Sequence, residues 1–424
     1  MSRGSDDETK RLELSKLWVL MVTAFVDMIG FALIVPLLPY YALEFGASAT
    51  TIGFLMAIFA FGQMTTAPLW GRLSDRIGRK PVLMASQGLS AVAFVVFAFA
   101  DAVWLLFLCR FLQGVGSGTL GAVSAYVTDA VGPDERAKAL GWITACTSAG
   151  VMVGPAIGSL TVGWSSAAPG LIAAGLCGVN LVFTSIFLGE ARAVDRDKPR
   201  PKSRRLLGEI GQVLARPAVP VHSLIWVYTA GMMAFMSMTG IMALYLEAVF
   251  GIDKERIGYF YVAIGAVSVV MRGLILGRMV DAFGEVRTLR LGALCLGLGM
   301  LGLTVPTTVP AFVVVMLMVP TGTALLFPST TSLVTRYADP DHVGQTVGVQ
   351  QAFGGVSRLL APIWAGAVFE VVGIREPFWI GGTLVLLTFL FALRLRPGEA
   401  PSRRRARMAA EAAARAEAES PTEV

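Results

Sequence analysis

The chain has 424 residues, 55% of them apolar and only 15% charged, with 46 glycines and a mean hydropathy of +0.68. That is too little polar surface to cover a water-soluble fold of this length, so the chain is expected to live in lipid. Its net charge of +6 reports orientation in the membrane and calls for no nucleic-acid partner.

Apolar stretches of about 20 residues, enough to cross a hydrocarbon core about 30 Å thick, are predicted at 17–41, 51–70, 81–100, 103–127, 138–162, 169–189, 218–246, 257–276, 288–306, 309–334, 343–369 and 377–394. The first is too long, and lacks the small-residue cleavage site, to be a removed signal peptide. Residues 1–16 read as an N-terminal tail, 17–189 as a first bundle of six helices, and 190–217 as a flexible polar linker with a short amphipathic stretch at 205–215. Residues 218–394 read as a second bundle of six, and 395–424 as a polar tail without a folded domain. The expected fold is all-α: twelve transmembrane helices in two pseudo-symmetric bundles.

Lys and Arg accumulate in cytoplasmic loops. With both tails and the even-numbered gaps on that side, 29 of the 35 basic residues are cytoplasmic, Lys254, Arg256 and Arg375 are external, and Arg110, Arg272 and Arg358 lie within spans. Arg272 and Arg358 are expected within a few turns of the cytoplasmic face, where long basic side chains snorkel. Glu247 and Glu370 are expected at the external mouth.

The halves repeat one another. The run from Gly71 through Asp75, Gly78 and Arg79 to Lys80 is echoed by Gly277, Asp281 and Gly284 at a constant offset of 206, and Pro155 in span five is matched by Pro362 in span eleven at 207. Internal duplication of this kind marks secondary transporters.

A charge at mid-membrane costs about 2.5–3.5 kcal/mol on insertion scales and persists only when paired or wetted, so it is a functional candidate. Asp27 lies about ten residues into span one and Arg110 about seven into span four, depths that suit one shared cavity. Burial favours a neutral carboxyl and a nearby cation favours its ion, so Asp27 is expected to gain and lose a proton, with Arg110 as its tuner or as an interhelical strut. In the loop at 71–80, Asp75 and Arg79 have the i,i+4 spacing of an ion pair, and Asp75 can also cap a neighbouring helix. Gly150, Gly154 and Gly158 line one helical face beside the kink-favouring Pro155, which suits a tight seam between the halves or simple helix packing. Phe31, Gln113, Met232, Met236 and Gln351 are the candidate substrate-cavity residues, the methionines as a soft wall or as core.

Other chemistries find no support. Cys109, Cys146, Cys177 and Cys295 lie in apolar runs without metal or redox spacing, and His222 and His342 accompany no nucleophile, metal or phosphate-loop pattern. No enzyme and no cofactor are expected. Without a nucleotide-binding loop, energy is expected from an ion gradient or from the substrate itself.

Taken together, these residues resemble the major facilitator superfamily and, within it, the drug:proton antiporters that include tetracycline efflux proteins. The match rests on Gly71 to Leu83, on Leu108 to Gly116 around Arg110, on Gly150 to Gly158, and on Asp27 to Gly30 with Val35 to Pro39. The resemblance implies alternating access, a loop at 71–80 that latches the cytoplasmic side, a reach from Arg79 to Asp129, an exporter-type fifth span, and a monomer in the inner membrane with both termini cytoplasmic. Its partners would be protons, a small molecule and the bilayer. Ser159 where exporters often carry Gly, a second loop without the Arg-Lys pair, and no carboxylate in mid-span seven depart from the pattern. Proton-coupled efflux of amphipathic drugs is the leading expectation, ahead of a metabolite importer or facilitator and of a transport-dead receptor.

Overall fold

A computed structural model describes residues 2–131, 133–189, 204–339 and 342–395. The expected linker residues 190–203 and the tail from 396 onward lie outside these described residues, as do the side chains of 1–16.

The first half comprises α1 (Ser2–Ile34), α2 (Leu38–Glu44), α3 (Ala49–Ile77), α4 (Arg79–Ala98), α5 (Val103–Gly116), α6 (Thr119–Ala130), α7 (Pro133–Val162) and α8 (Ala168–Phe187). An amphipathic helix, α9 (Arg204–Ala215), then leads into α10 (Pro220–Phe250), α11 (Ile257–Val270), α12 (Leu276–Phe283), α13 (Glu285–Gly302), α14 (Val309–Met316), α15 (Met318–Tyr337), α16 (Val343–Val371) and α17 (Glu376–Arg394). The described residues contain no strand. In lipid every backbone polar group must be satisfied within the chain, and helices achieve that span by span.

Local sequence explains where helices start and stop. Ser48 caps α3 by accepting from Thr51 N at 3.3 Å, and Gly251 closes α10 in the left-handed region at φ +62°. Gly78 at φ +102° and Gly284 at φ +82° turn the chain between α3 and α4 and between α12 and α13, a conformation other residues adopt at a cost. Some expected single spans are built from two pieces. Span one breaks at residues 35–37, around Pro36, and span four at Ser117 and Gly118.

Among the described residues, eleven helical stretches are long and apolar enough to cross a membrane. The twelfth expected span, 288–306, corresponds to α13, whose first two turns carry Glu285, Arg287 and Arg290 and so interrupt the apolar run. It nonetheless packs between α15 and α17 as a member of the second bundle.

Within the first half α1 packs on α7 and α8, and α4 on α5 and α8; within the second, α10 packs on α16 and α17. The halves meet along two symmetry-related seams, α3 against α16 and α7 against α11. In each seam a glycine abuts a proline carbonyl with no room for a methyl: Gly53 on Pro362, and Gly258 on Pro155.

These seam glycines are 205 residues apart, whereas the loop glycines Gly71 and Gly277 are 206 apart. The extra residue of the second half falls between them, and there α11 passes into α12 through a π-helical turn, Met271–Ile275. A π turn absorbs one residue without unwinding the helix.

Candidate functional site

The end of the bundle away from the basic loops is closed by bonds between the halves. Tyr40 Oη donates to Ile252 O at 2.8 Å, Lys254 Nζ donates to Glu44 Oε1 at 2.5 Å, and Thr50 N donates to Glu370 Oε2 at 2.9 Å. Ser159 Oγ accepts from Gly258 N at 2.8 Å and donates to Lys254 O at 3.2 Å. Ser159 had stood out in the sequence only as a missing glycine; its hydroxyl in fact stitches α7 to the start of α11.

At the basic end Gly71, Gly141, Gly277, Gly344 and Gly348 have open space where a Cβ would stand.

The central charges lie in the first half. Asp27, on α1, has its Oδ1 buried without a hydrogen-bond partner and the Thr119 hydroxyl within hydrogen-bonding reach. Arg110, on α5, is 3% exposed. Its Nη1 donates to Gln113 Oε1 at 2.8 Å, and its guanidinium lies 4.6 Å from the Phe59 ring centroid and 5.8 Å from that of Phe31. Phe31 is one turn along α1 from Asp27, so the cation rests on an aromatic floor beside the carboxylate's own helix. No ion pair joins Asp27 to Arg110 among the described residues. The Phe31 ring, one turn along α1 from Asp27, instead lies beside the Arg110 guanidinium.

The second-half cavity candidates differ in burial. Met232 and Met238 are core residues at 8% and 2% exposure, while Met236 is half-buried and Gln351 exposed. Tyr228, beside Gln351 and Arg358, stacks edge-on against Phe327 at 5.3 Å. Arg358 stands fifteen residues past Val343 in the 29-residue α16, about 22 Å along the axis. That is about four turns in from the start of the helix.

The glycine stripe of span five also differs from one expectation. Gly150 packs on Phe25 O and Met28, Gly154 on Ile29 O and Leu33 N, and Gly158 on Leu33 O. That face therefore joins α7 to α1 inside the first half. The seam between the halves uses other α7 residues, Met152 against Gly265 and Pro155 with Ser159 against Gly258. A four-residue period identifies a tight face, and only the fold says which helix it meets.

At the basic end Arg79 Nε donates to Asp129 Oδ2 at 2.9 Å, and Arg79 Nη1 bonds Asp75 Oδ1 at 2.8 Å and Ser74 Oγ at 2.9 Å. The matching loop of the second half holds Gly277 and Asp281 on α12 and ends at Gly284. There Glu285 accepts from Ser332 Oγ at 2.6 Å and pairs with Arg336 at 3.5 Å. His222 and His342 line one pocket of about 190 Å³ under α9, together with Glu209 and Asp339.

Comparison with known proteins agrees with this architecture. The profile of the Major Facilitator Superfamily matches residues 20–303 and 272–421. The chain is 28% identical over 388 residues to the class C tetracycline resistance protein of Escherichia coli, covering 89% of this chain and 96% of the relative. It is 26% identical over 377 residues to multidrug resistance protein 2 of Bacillus subtilis (strain 168), covering 87% and 92%. Among solved structures, the human organic anion transporter MFSD10 (TETRAN) superposes with a TM-score of 0.67 at 21% identity over 90% of this chain and 99% of that one. The nucleoside transporter NupG superposes with a TM-score of 0.72 at 15% identity over 91% and 100%. With its profile match, its duplicated helices and its two glycine–proline seams, this multi-pass membrane protein belongs to the Major Facilitator Superfamily, as a transporter and not an enzyme.

Proposed function

We propose that the chain exports amphipathic small molecules, tetracycline-like or other drugs, in exchange for protons by alternating access. It would do so as a monomer in the inner membrane, with both termini cytoplasmic and no cofactor beyond the proton gradient. The observation that carries this reading is Asp27, a carboxyl group within a membrane span whose Oδ1 is buried with no partner. An ionised group left so placed is costly, so the site favours a group that alternates between charged and neutral forms. Similarity to relatives named for tetracycline and multidrug resistance supports this substrate class. The half-buried Phe31 and Phe59 rings, backed by the buried Arg110 cation, offer an aromatic surface for a flat, partly polar molecule.

Everted membrane vesicles test this directly. Energised vesicles are expected to accumulate tetracycline or a fluorescent drug, to lose that accumulation on adding a protonophore, and to lose it with Asp27→Asn. Accumulation indifferent to the protonophore, or retained in full by Asp27→Asn, overturns proton coupling. Uptake of a metabolite in the opposite direction overturns efflux.

A further inference from the structure

Asp27 does not stand alone in the first half. A ring of polar side chains, each at most 1% exposed, surrounds its turn of α1: Thr23, Ser86 and Gln87 on α4, Thr119 on α6, and Asn180 and Thr184 on α8. Asn180 Nδ2 donates to Thr23 O at 3.0 Å, the carbonyl one turn before Asp27. Thr23 Oγ1 meets Thr184 Oγ1 at 3.2 Å, Gln87 Nε2 donates to Thr184 Oγ1 at 3.2 Å, and Thr119 Oγ1 meets Ser86 Oγ at 2.8 Å. Six polar groups from four helices thus cluster beside the stretch of α1 that carries Asp27.

Three acceptors in this cluster are left over. Asp27 Oδ1, Gln87 Oε1 and Asn180 Oδ1 are all buried without a hydrogen-bond partner. Because Asn180 must present its nitrogen to the Thr23 carbonyl, its oxygen is fixed as the orphan. A buried acceptor without a donor costs about 1–3 kcal/mol, so three orphans on the mutually packed helices α1, α4 and α8 form a specific arrangement. Such a set of hard oxygens suits a small, donor-rich or positively charged guest.

The geometry points to a cation-loading site made by Asp27, Gln87 and Asn180 inside the first half, in which the amide oxygens hold the coupling ion as a hydrated proton or a sodium ion. The inference rests on the proposed role of Asp27 and adds where the ion sits. For a proton, the carboxyl O–H bond of Asp27 breaks as a lone pair of a bound water takes the hydrogen, and the resulting hydronium has three O–H donors for three acceptors. The ion then leaves among α1, α4 and α8, apart from the cleft between the halves where Arg110 and Gln351 face the substrate. Facing Asp27 are the Cys177 thiol from α8 and Thr119 from α6, while Gly150 and Gly154 of α7 pack on another face of α1; Arg110 of α5 lies beyond Phe31.

The bland alternative is that Gln87 and Asn180 are struts, acting only through their NH2 groups. Asn180→Asp and Gln87→Glu separate the two, since each keeps or strengthens the acceptor while removing the donor. The full-length protein in detergent, weakly buffered with a pH indicator, is mixed with drug, and released protons are counted against pH. An acceptor site predicts that either variant moves the pH midpoint of release upward by about one unit, a tenfold change in proton affinity, and that Asn180→Leu suppresses release while drug still binds. Repeating the titration in sodium and in choline names the ion: a midpoint displaced by sodium assigns the site to Na⁺, and an unmoved one to the proton. Midpoints equal to wild type in both acidic variants, with release still abolished by Asp27→Asn, overturn this site and leave proton coupling standing. Undiminished release by Asp27→Asn overturns both.

Discussion

Arg79 and Asp129 form their bridge against the grain of their helices: the cation stands at the first position of α4 and the carboxylate in the last turn of α6. Helix N-termini favour negative charge and C-termini positive. In the second half the equivalent positions carry Glu285 in the first turn of α13 and Arg336 in the last turn of α15, the same bridge with its charges exchanged and its dipoles satisfied. The repeated loop therefore keeps the link and reverses its sign.

The two bridges should respond differently when broken. Arg79 and Asp129 are 16% and 18% exposed, whereas Arg336 is 55% exposed. Removing Arg79 leaves Asp129 with an unfavourable dipole and no cation, so Arg79→Ala is expected to cost about 1–3 kcal/mol. Arg336→Ala leaves Glu285 on a helix N-terminus that already suits it, and is expected to cost about 0–1 kcal/mol. Thermal unfolding of the two variants in the same detergent checks the order; equal losses would contradict it.

Arg110 is held by shape as much as by charge. Its guanidinium lies over Phe59 and donates to Gln113, and a lysine ammonium supplies neither the flat face nor the fork. Arg110→Lys is expected to lower transport severalfold while leaving the protein folded, and Arg110→Ala to abolish transport. Vesicle transport read beside size-exclusion profiles decides the matter, and wild-type activity in the alanine variant would remove Arg110 from the mechanism.

Glycines with the same sequence prominence should differ sharply in tolerance. A Cβ at Gly154 would meet Ile29 O at 2.7 Å and Leu33 N at 2.9 Å, backbone atoms that cannot step aside cheaply, while Gly71 has open space. Gly154→Ala is expected to cost about 1–3 kcal/mol by overpacking, and Gly71→Ala to leave the unfolding midpoint unchanged. A transport defect in Gly71→Ala with an unchanged midpoint would place its crowding in another conformation of the cycle.

Glu370 closes one end of the seam between the halves by accepting from Thr50 N at the start of α3. Glu370→Ala removes that acceptor and Glu370→Gln keeps a neutral one. A cysteine at position 50 should then react with a membrane-impermeant maleimide from the far side fastest in Glu370→Ala and at an intermediate rate in Glu370→Gln. Identical rates in all three backgrounds would show that this bond does not hold the end closed.

Long apolar runs, the duplicated loop and the Asp75–Arg79 spacing were legible because each is local in the chain. Gln87, Asn180 and Thr23 were not, since single polar residues in three distant apolar runs have no spacing that joins them; only folding brings Thr23 and Thr184 together across 161 residues. The partner of the Gly150–Gly158 face was hidden for the same reason. A residue-by-residue search for lone amides inside predicted spans is the signal that would have raised Gln87 and Asn180 as candidates.

The π turn at Met271–Ile275 has a mechanical meaning. Its counterpart in the first half, allowing for the offset of 205 to 206, falls in the stretch of α3 that contains Pro68. Proline weakens a helix by withholding a donor, and a π turn does so by misdirecting carbonyls. Each of these two seam-forming spans therefore carries a compliant joint at the same height, one made by losing a hydrogen bond and the other by gaining a residue. The halves can flex as matched levers even though the chemistry of their hinges has nothing in common.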